Sequence, residues 1–255
     1  MAIIKTFFTQ PEISPKDIFI IGAGTFGKKA LERLSSKYPT SHITIVDRSE
    51  EALSNLSRNN PYSASFRIIK GDGVETIVQN KKIIQPETWV IPAIPVHVAS
   101  EWIVRKLMYK GYNLNPAPIP EDLQTKLPNP FIMAGRNDLL FISVASFICP
   151  DNCPEPPEKC THTGKPRTGN LYEMIADAIP EPWSALVFRS FQLSPGVGGY
   201  PALYLMEGLK TLEELGLSIP NQRVGLIPRN AGHPLIIATA CRCHGVVSAL
   251  TLHFS

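Results

Sequence analysis

Residues 18–27 read Ile18-Phe19-Ile20-Ile21-Gly22-Ala23-Gly24-Thr25-Phe26-Gly27. An apolar run ends in G-x-G-x-x-G, and a helix-forming stretch, Lys28 to Leu34, follows. The first glycine permits a tight turn from strand to helix. The second lets the phosphates of a dinucleotide approach the backbone, and the third lets the helix pack closely on the strand. The helix start adds unpaired N–H groups and the positive end of its dipole. Gly22, Gly24, Thr25, Phe26 and Gly27 are therefore expected to cradle a pyrophosphate.

About twenty residues past Gly27, where the dinucleotide fingerprint wants an acid for the adenosine ribose, stands Asp47. It ends His42-Ile43-Thr44-Ile45-Val46, a β-branched run that reads as a strand. A carboxylate there repels a 2′-phosphate, so NAD is expected over NADP. Arg48 has two readings, a group that stacks on adenine or reaches a phosphate, and a solvated arginine.

The first half continues the pattern. Ser49 precedes a helix with Glu50 and Glu51 in its first turn and Ala52, Leu53 and Leu56 on its apolar face. Residues 65–69 read as a third strand, 71–75 as a loop, 89–91 as a fourth strand cut off by prolines, and 98–108 as a helix. This order predicts an α/β fold, a doubly wound, mostly parallel, Rossmann-like sheet covered on both faces.

These pieces carry a resemblance. Residues 17–108 resemble the nucleotide-binding domain of TrkA-N (RCK) potassium-transport regulators and the first domain of saccharopine-dehydrogenase-type oxidoreductases. The matching stretches are residues 20–27, Ile45-Val46-Asp47 and Lys70-Gly71-Asp72-Gly73. The resemblance implies that Asp72 contacts the nucleotide; the reading from the residues alone is a turn aspartate. An S-adenosylmethionine-dependent methyltransferase is a rival. Such enzymes usually carry an acid two residues before the loop, where this chain has Ile20 and Ile21.

Bulk properties set bounds. The 255 residues are 44% hydrophobic, enough for a full core. A net charge of +3 without a basic stripe does not point to nucleic acid. Met1 to Phe8 lack the apolar run of a signal peptide, and the longest apolar run, Leu139 to Cys149, is too short to span a bilayer. A cytoplasmic protein with reduced cysteines, free or in a homo-oligomer, is expected.

The 24 prolines cluster at 116–130 and 150–166. The expected organisation is a dinucleotide-binding domain at 1–113, a Pro/Cys-rich insertion at 114–180 beginning with a linker or arm at 114–130, and a β-rich part at 181–255. Residues 131–134 and 139–144 flank a short polar turn and read as a hairpin. Asn170 is expected to cap a short helix. Residues 184–228 read as strand, glycine loop (194–200), helix ending at Gly216, and strand (224–227), a unit expected to complete the same sheet, with a separate mixed domain as the alternative. The glycine loop reads either as a flexible turn or as backbone brought close to the cofactor's nicotinamide end.

Cys149, Cys153 and Cys160 fall in one proline-rich stretch with His162, and Cys241, Cys243 and His244 lie near the end. A loop so poor in apolar residues needs something to hold it, and zinc or an iron–sulfur cluster would do so. The C-x3-C-x6-C spacing is not a standard signature of either. An iron–sulfur cluster would use thiolates and leave the histidines aside; zinc could use both. Free thiols, and a redox-active or disulfide role, are the competing readings. Lys165 and Arg167 read as groups that meet an anionic substrate or as part of a solvated loop; Asn230 and His233 read as an acid–base pair or as structural; His97, at the sheet's carboxyl edge, reads as an acid–base group or as a cap of the following helix.

Three functions are compatible with these residues. One is an NAD-dependent oxidoreductase acting on a small-molecule substrate. The others are a non-catalytic nucleotide-sensing protein and a methyltransferase.

Overall fold

The computed structural model of the protein describes residues 2–58, 66–80, 82–218 and 232–253. Its first strand, β1 (Ile4–Phe7), belongs to a sheet finished by the far end of the chain. Next comes the unit centred on the glycine motif. It consists of β2 (Asp17–Ile21), α1 (Thr25–Lys37), β3 (His42–Asp47), α2 (Glu50–Arg58), β4 (Phe66–Lys70), α3 (Gly73–Gln79), β5 (Trp89–Pro92) and α4 (Val98–Tyr109). β2 pairs in parallel with β3 and β5, and β3 with β4. Ile21 lies opposite both Val46 and Pro92, so the carboxyl ends of the three central strands are level. The chain leaves β2 toward β3 on one side and returns to β5 on the other. That reversal is the topological switch point at which open α/β sheets bind ligands.

The second half contains β6 (Asn113–Pro116), α5 (Glu121–Lys126), β7 (Pro130–Ile132), β8 (Leu139–Ser143), α6 (Leu171–Ala178) and β9 (Ser184–Arg189), followed by β10 (Phe191–Ser194), β11 (Val197–Pro201), α7 (Ala202–Ser218), β12 (His233–Ala240) and β13 (His244–His253). The hairpin β10–β11 returns to the first sheet and pairs antiparallel with β5, giving the order β10-β11-β5-β2-β3-β4. The other strands form a second, mixed sheet in the order β1-β9-β12-β13-β8-β7, with β6 also on β13.

The second sheet is buried on both faces. Along β9, Leu186 and Phe188 enter the core shared with the first sheet, while Ala185 and Val187 enter a separate core. Along β12, Leu235 and Ile237 alternate with Ile236 and Ala238 in the same way. This two-residue period explains why these strands read as continuous apolar runs. Trp102, Ile103, Leu205 and Leu212, from α4 and α7, fill the shared core, and Leu123, Leu171 and Ile175, from α5 and α6, fill the other.

Several sequence expectations are corrected. Residues 114–130 are not a bare linker, because they contain β6 and α5. Residues 184–201 are divided between the sheets, β9 in one and β10–β11 in the other. The helix expected to end at Gly216 runs to Ser218. The hairpin of β7 and β8 forms as read. The strand expected at 224–227, and Asn230, lie outside the described residues.

Candidate functional site

The three glycines of the motif do three separate jobs. Gly22 has φ +108°, and a Cβ there would lie 2.7 Å from the Ala93 carbonyl oxygen and 2.6 Å from Ile94 Cγ2. The turn therefore packs directly on the loop that follows β5. A Cβ on Gly27 would lie 1.8 Å from the Gly22 carbonyl oxygen, so this glycine sets the approach of α1 to β2. Around Gly24 a Cβ would meet nothing within 4 Å. Its missing side chain serves neither the turn nor the packing, and the open face it leaves is where a phosphate can come close.

Gly24, Thr25 and Phe26 are exposed between the buried Gly22 and Gly27. The α1 ladder starts with Lys28 N–H donating to the Gly24 carbonyl at 2.9 Å, so the N–H groups of Thr25, Phe26 and Gly27 precede it. No acidic side chain occupies the first turn, and Gly24 as N-cap offers no side-chain acceptor. The positive end of α1 therefore has the character of an anion site.

Asp47, at the end of β3, reaches back to this loop. Its Oδ2 accepts from Ala23 N–H at 2.6 Å, and its Oδ1 accepts from Ser49 N–H at 2.8 Å. The carboxylate is thereby fixed at the rim of the glycine turn. Its neighbour Arg48 forms an ion pair with Asp72. Asp72 is the N-cap of α3, accepting from Glu75 N–H at 2.6 Å, which satisfies the turn-residue reading directly. Arg105, from α4, donates to Glu75 at 2.9 Å and lies 3.3 Å from Asp72. Partial burial pushes the Asp72 carboxyl up, but the Glu75 N–H, Arg48 and Arg105 together hold it below its ordinary value. The sequence reading missed Arg105; its signal was Glu101, one helical turn before it on α4.

A cleft of about 440 Å³ opens beside the loop, at the switch point. Phe26, Ala30, Ile91–Pro95 and Gly196–Gly198 line it. The second glycine-rich stretch is therefore the turn of the β10–β11 hairpin and one wall of this cleft. Gly196 has φ +68°, and a Cβ there would lie 1.8 Å from the Asp151 carbonyl oxygen. Arg33 ties the same corner together, donating to the carbonyls of Asp151 (2.7 Å) and Pro195 (2.6 Å).

The remaining candidates lie elsewhere. His97 is the N-cap of α4, not a group facing the cleft. It is buried, with Nδ1 2.8 Å from Ser248 Oγ and Nε2 3.0 Å from Thr239 Oγ1, so both ring nitrogens bind the second sheet. Burial pushes its pKa down to about 3. His233 begins β12, is buried, and bonds Ser184 Oγ through Nε2 at 2.7 Å; burial lowers its pKa too. Lys165 is exposed, whereas Arg167 turns inward to Cys243 Sγ and the Pro156 carbonyl, both at 2.6 Å. All five cysteines are free thiols. The His162 ring stacks on Phe147, centroids 4.4 Å apart. Among the described residues, no three His, Cys, Asp or Glu side chains stand at the spacing of a single bound ion. None of the described helices is long and apolar enough to cross a membrane.

Comparison with known proteins agrees with this geometry. Residues 18–111 match the TrkA-N domain, the stretch that runs from β2 through α4. The first part of the chain is thus a Rossmann-type, NAD(P)-binding domain. An uncharacterized protein of Archaeoglobus fulgidus is 25% identical over 247 residues, which cover 91% of this chain and 97% of that one. No solved structure matches significantly. Residues 99–253, more than half of the chain, match a family described as the C-terminal domain of an uncharacterized protein. The two matches overlap on α4, the helix between the sheets, and the protein belongs to that second family, carrying its domain fused to a TrkA-N domain.

Proposed function

We propose that the protein binds NAD(H) across the carboxyl edge of the first sheet and responds to its occupancy. The pyrophosphate lies on the Gly24 face at the start of α1. The adenosine ribose meets Asp47, and the nicotinamide end enters the cleft beside Phe26. The observation that carries this reading is the open face of Gly24 beside a carboxylate already oriented by Ala23 N–H. Asp47 disfavours a 2′-phosphate, and Arg48, engaged with Asp72, does not offset it.

A responsive binding protein fits the cleft better than a dehydrogenase that needs a proton relay. The lining is apolar side chains and backbone, and His97 and His233 are committed to bonds within the second sheet. The hairpin that walls the cleft is continuous with α7, and β9 and β12 flank it in sequence, so occupancy has a direct route to the second half. One observation favours an oxidoreductase: the cysteine-bearing loop is bonded to that hairpin, through Gly196 N–H to the Cys153 carbonyl at 3.1 Å.

Calorimetric titration with NAD, NADH, NADP and S-adenosylmethionine tests the reading. Saturable binding of NAD or NADH, at least tenfold tighter than NADP, is expected. Preferential binding of S-adenosylmethionine would replace the proposal with the methyltransferase reading.

A further inference from the structure

The cysteines that sequence separates by up to 94 positions share one corner of the fold. Cys153 Sγ lies 3.3 Å from the hydroxyl of Thr161, the neighbour of Cys160. Arg167, whose side chain meets Cys243 Sγ at 2.6 Å, donates its backbone N–H to the Glu158 carbonyl at 2.9 Å, two residues before Cys160. Cys149 precedes Cys153 in the same loop and bears electrostatically on the other three. Backbone bonds bring their segments together. Val144 N–H donates to the Cys243 carbonyl at 2.8 Å, which ties the end of β8 to the β12–β13 turn. Cys160 sits in a small hairpin, its N–H donating to the Lys165 carbonyl (2.9 Å) and its carbonyl accepting from Gly164 N–H (2.8 Å).

Hydrogen-bond donors reach three of these sulfurs. The backbone N–H groups of Thr163 and His162 point at Cys160. Glu155 N–H donates to Cys153 Sγ at 3.4 Å. The Arg167 guanidinium donates to Cys243 Sγ at 2.6 Å and bears electrostatically on Cys149 and Cys160 as well. Such donors favour metal-bound thiolate sulfur, whereas burial alone pushes the Cys149 and Cys243 thiols up.

We propose that Cys149, Cys153, Cys160 and Cys243 are the four thiolate ligands of an iron–sulfur cluster, with Arg167 as its charge partner. The ligand spacing decides against a single zinc ion. Tetrahedral zinc draws its ligands into one shell, and among the described residues no three such side chains are grouped to hold one ion. The thiolates of a cluster are shared among two or four iron atoms and need not meet in one shell. His162 is stacked on Phe147, which leaves an all-sulfur set. Of the two cysteines in the β12–β13 turn, the set takes Cys243, whose sulfur receives the Arg167 guanidinium. The inference does not depend on the dinucleotide reading.

The test uses the full chain, purified anaerobically and then incubated with ferric iron, dithiothreitol and sulfide, so that ferric iron is supplied directly and reduction by the dithiol gives the ferrous share. Iron, acid-labile sulfide, zinc and the visible spectrum are measured. Several irons and a matching amount of sulfide per chain are expected, with a visible band that dithionite bleaches. Cys149→Ser and Cys243→Ser should lose at least four-fifths of both, and Cys241→Ser should keep them. Circular dichroism checks that each variant folds, and the wild-type iron and sulfide content decides the matter if one does not. Stoichiometric zinc without sulfide, or no metal after incubation, would overturn the proposal. NAD titration of the same samples is scored separately.

Discussion

Asp47 Oδ2 and Ala23 N–H are joined by a 2.6 Å hydrogen bond that ties the end of β3 to the middle of the glycine turn. The carboxylate therefore has two duties, holding the turn and presenting its remaining acceptor capacity to a ribose. Asp47→Ala should lower NAD affinity about tenfold or more, because a charge-assisted bond is worth roughly 1.5–3 kcal/mol. NADP affinity should fall less, since the repulsion of its 2′-phosphate goes too. Paired titrations check this; equal losses for both nucleotides would remove the ribose assignment.

Gly22 is expected to tolerate no side chain. Its φ of +108° and the 2.7 Å approach to the Ala93 carbonyl oxygen combine backbone strain with a clash that only main-chain movement relieves. Gly22→Ala should cost about 2–4 kcal/mol, from the strain and overpacking together. Urea denaturation would measure the loss, and an unchanged midpoint would contradict the turn geometry.

His97 gives the protein an acid-sensitive link between its halves. Its folded-state pKa of about 3 lies below the ordinary 6.5. Between those values the unfolded chain takes up a proton that the folded chain refuses. Its stability contribution is full above about pH 6.5 and is lost as pH falls toward 3, by up to roughly 1.4 kcal/mol per pH unit. His97→Gln should be less stable at pH 7.5 by about 1–3 kcal/mol. Its deficit should shrink as the pH is lowered to 4.5. Denaturation curves across that range decide the point, and a constant deficit would assign the acid lability elsewhere.

The sheets should not unfold independently. Phe188 on β9 is fully buried in the core shared by both sheets, and its ring stacks on Phe7 at 4.7 Å. Phe188→Ala should cost about 3–5 kcal/mol. Far-ultraviolet dichroism and tryptophan fluorescence should report one coincident transition; two separated transitions would show that the cores are independent.

The Rossmann half was legible because local chemistry specifies it. Gly22, Gly24 and Gly27 name their own turn, and Asp47 ends a β-branched strand at the fingerprint distance. The second half was harder to read for physical reasons. Strands buried on both faces, such as β9 and β12, lose the polar alternation that identifies a half-exposed strand. The return of β10–β11 to β5 is a long-range pairing that no local pattern encodes. His97 lies at the sheet edge, as its position after β5 suggested. Its burial depends on Thr239 and Ser248, residues more than 140 positions away, and the sequence alone gives no sign of them.

The central claim is that Gly24 is side-chain-free for a ligand and not for the fold. A Cβ on Gly24 meets nothing within 4 Å. The direct measurement is NAD titration of Gly24→Val beside its thermal melt. The account predicts a melting temperature within a few degrees of the parent and at least a hundredfold loss of NAD affinity. Undiminished NAD binding by the folded variant would contradict it.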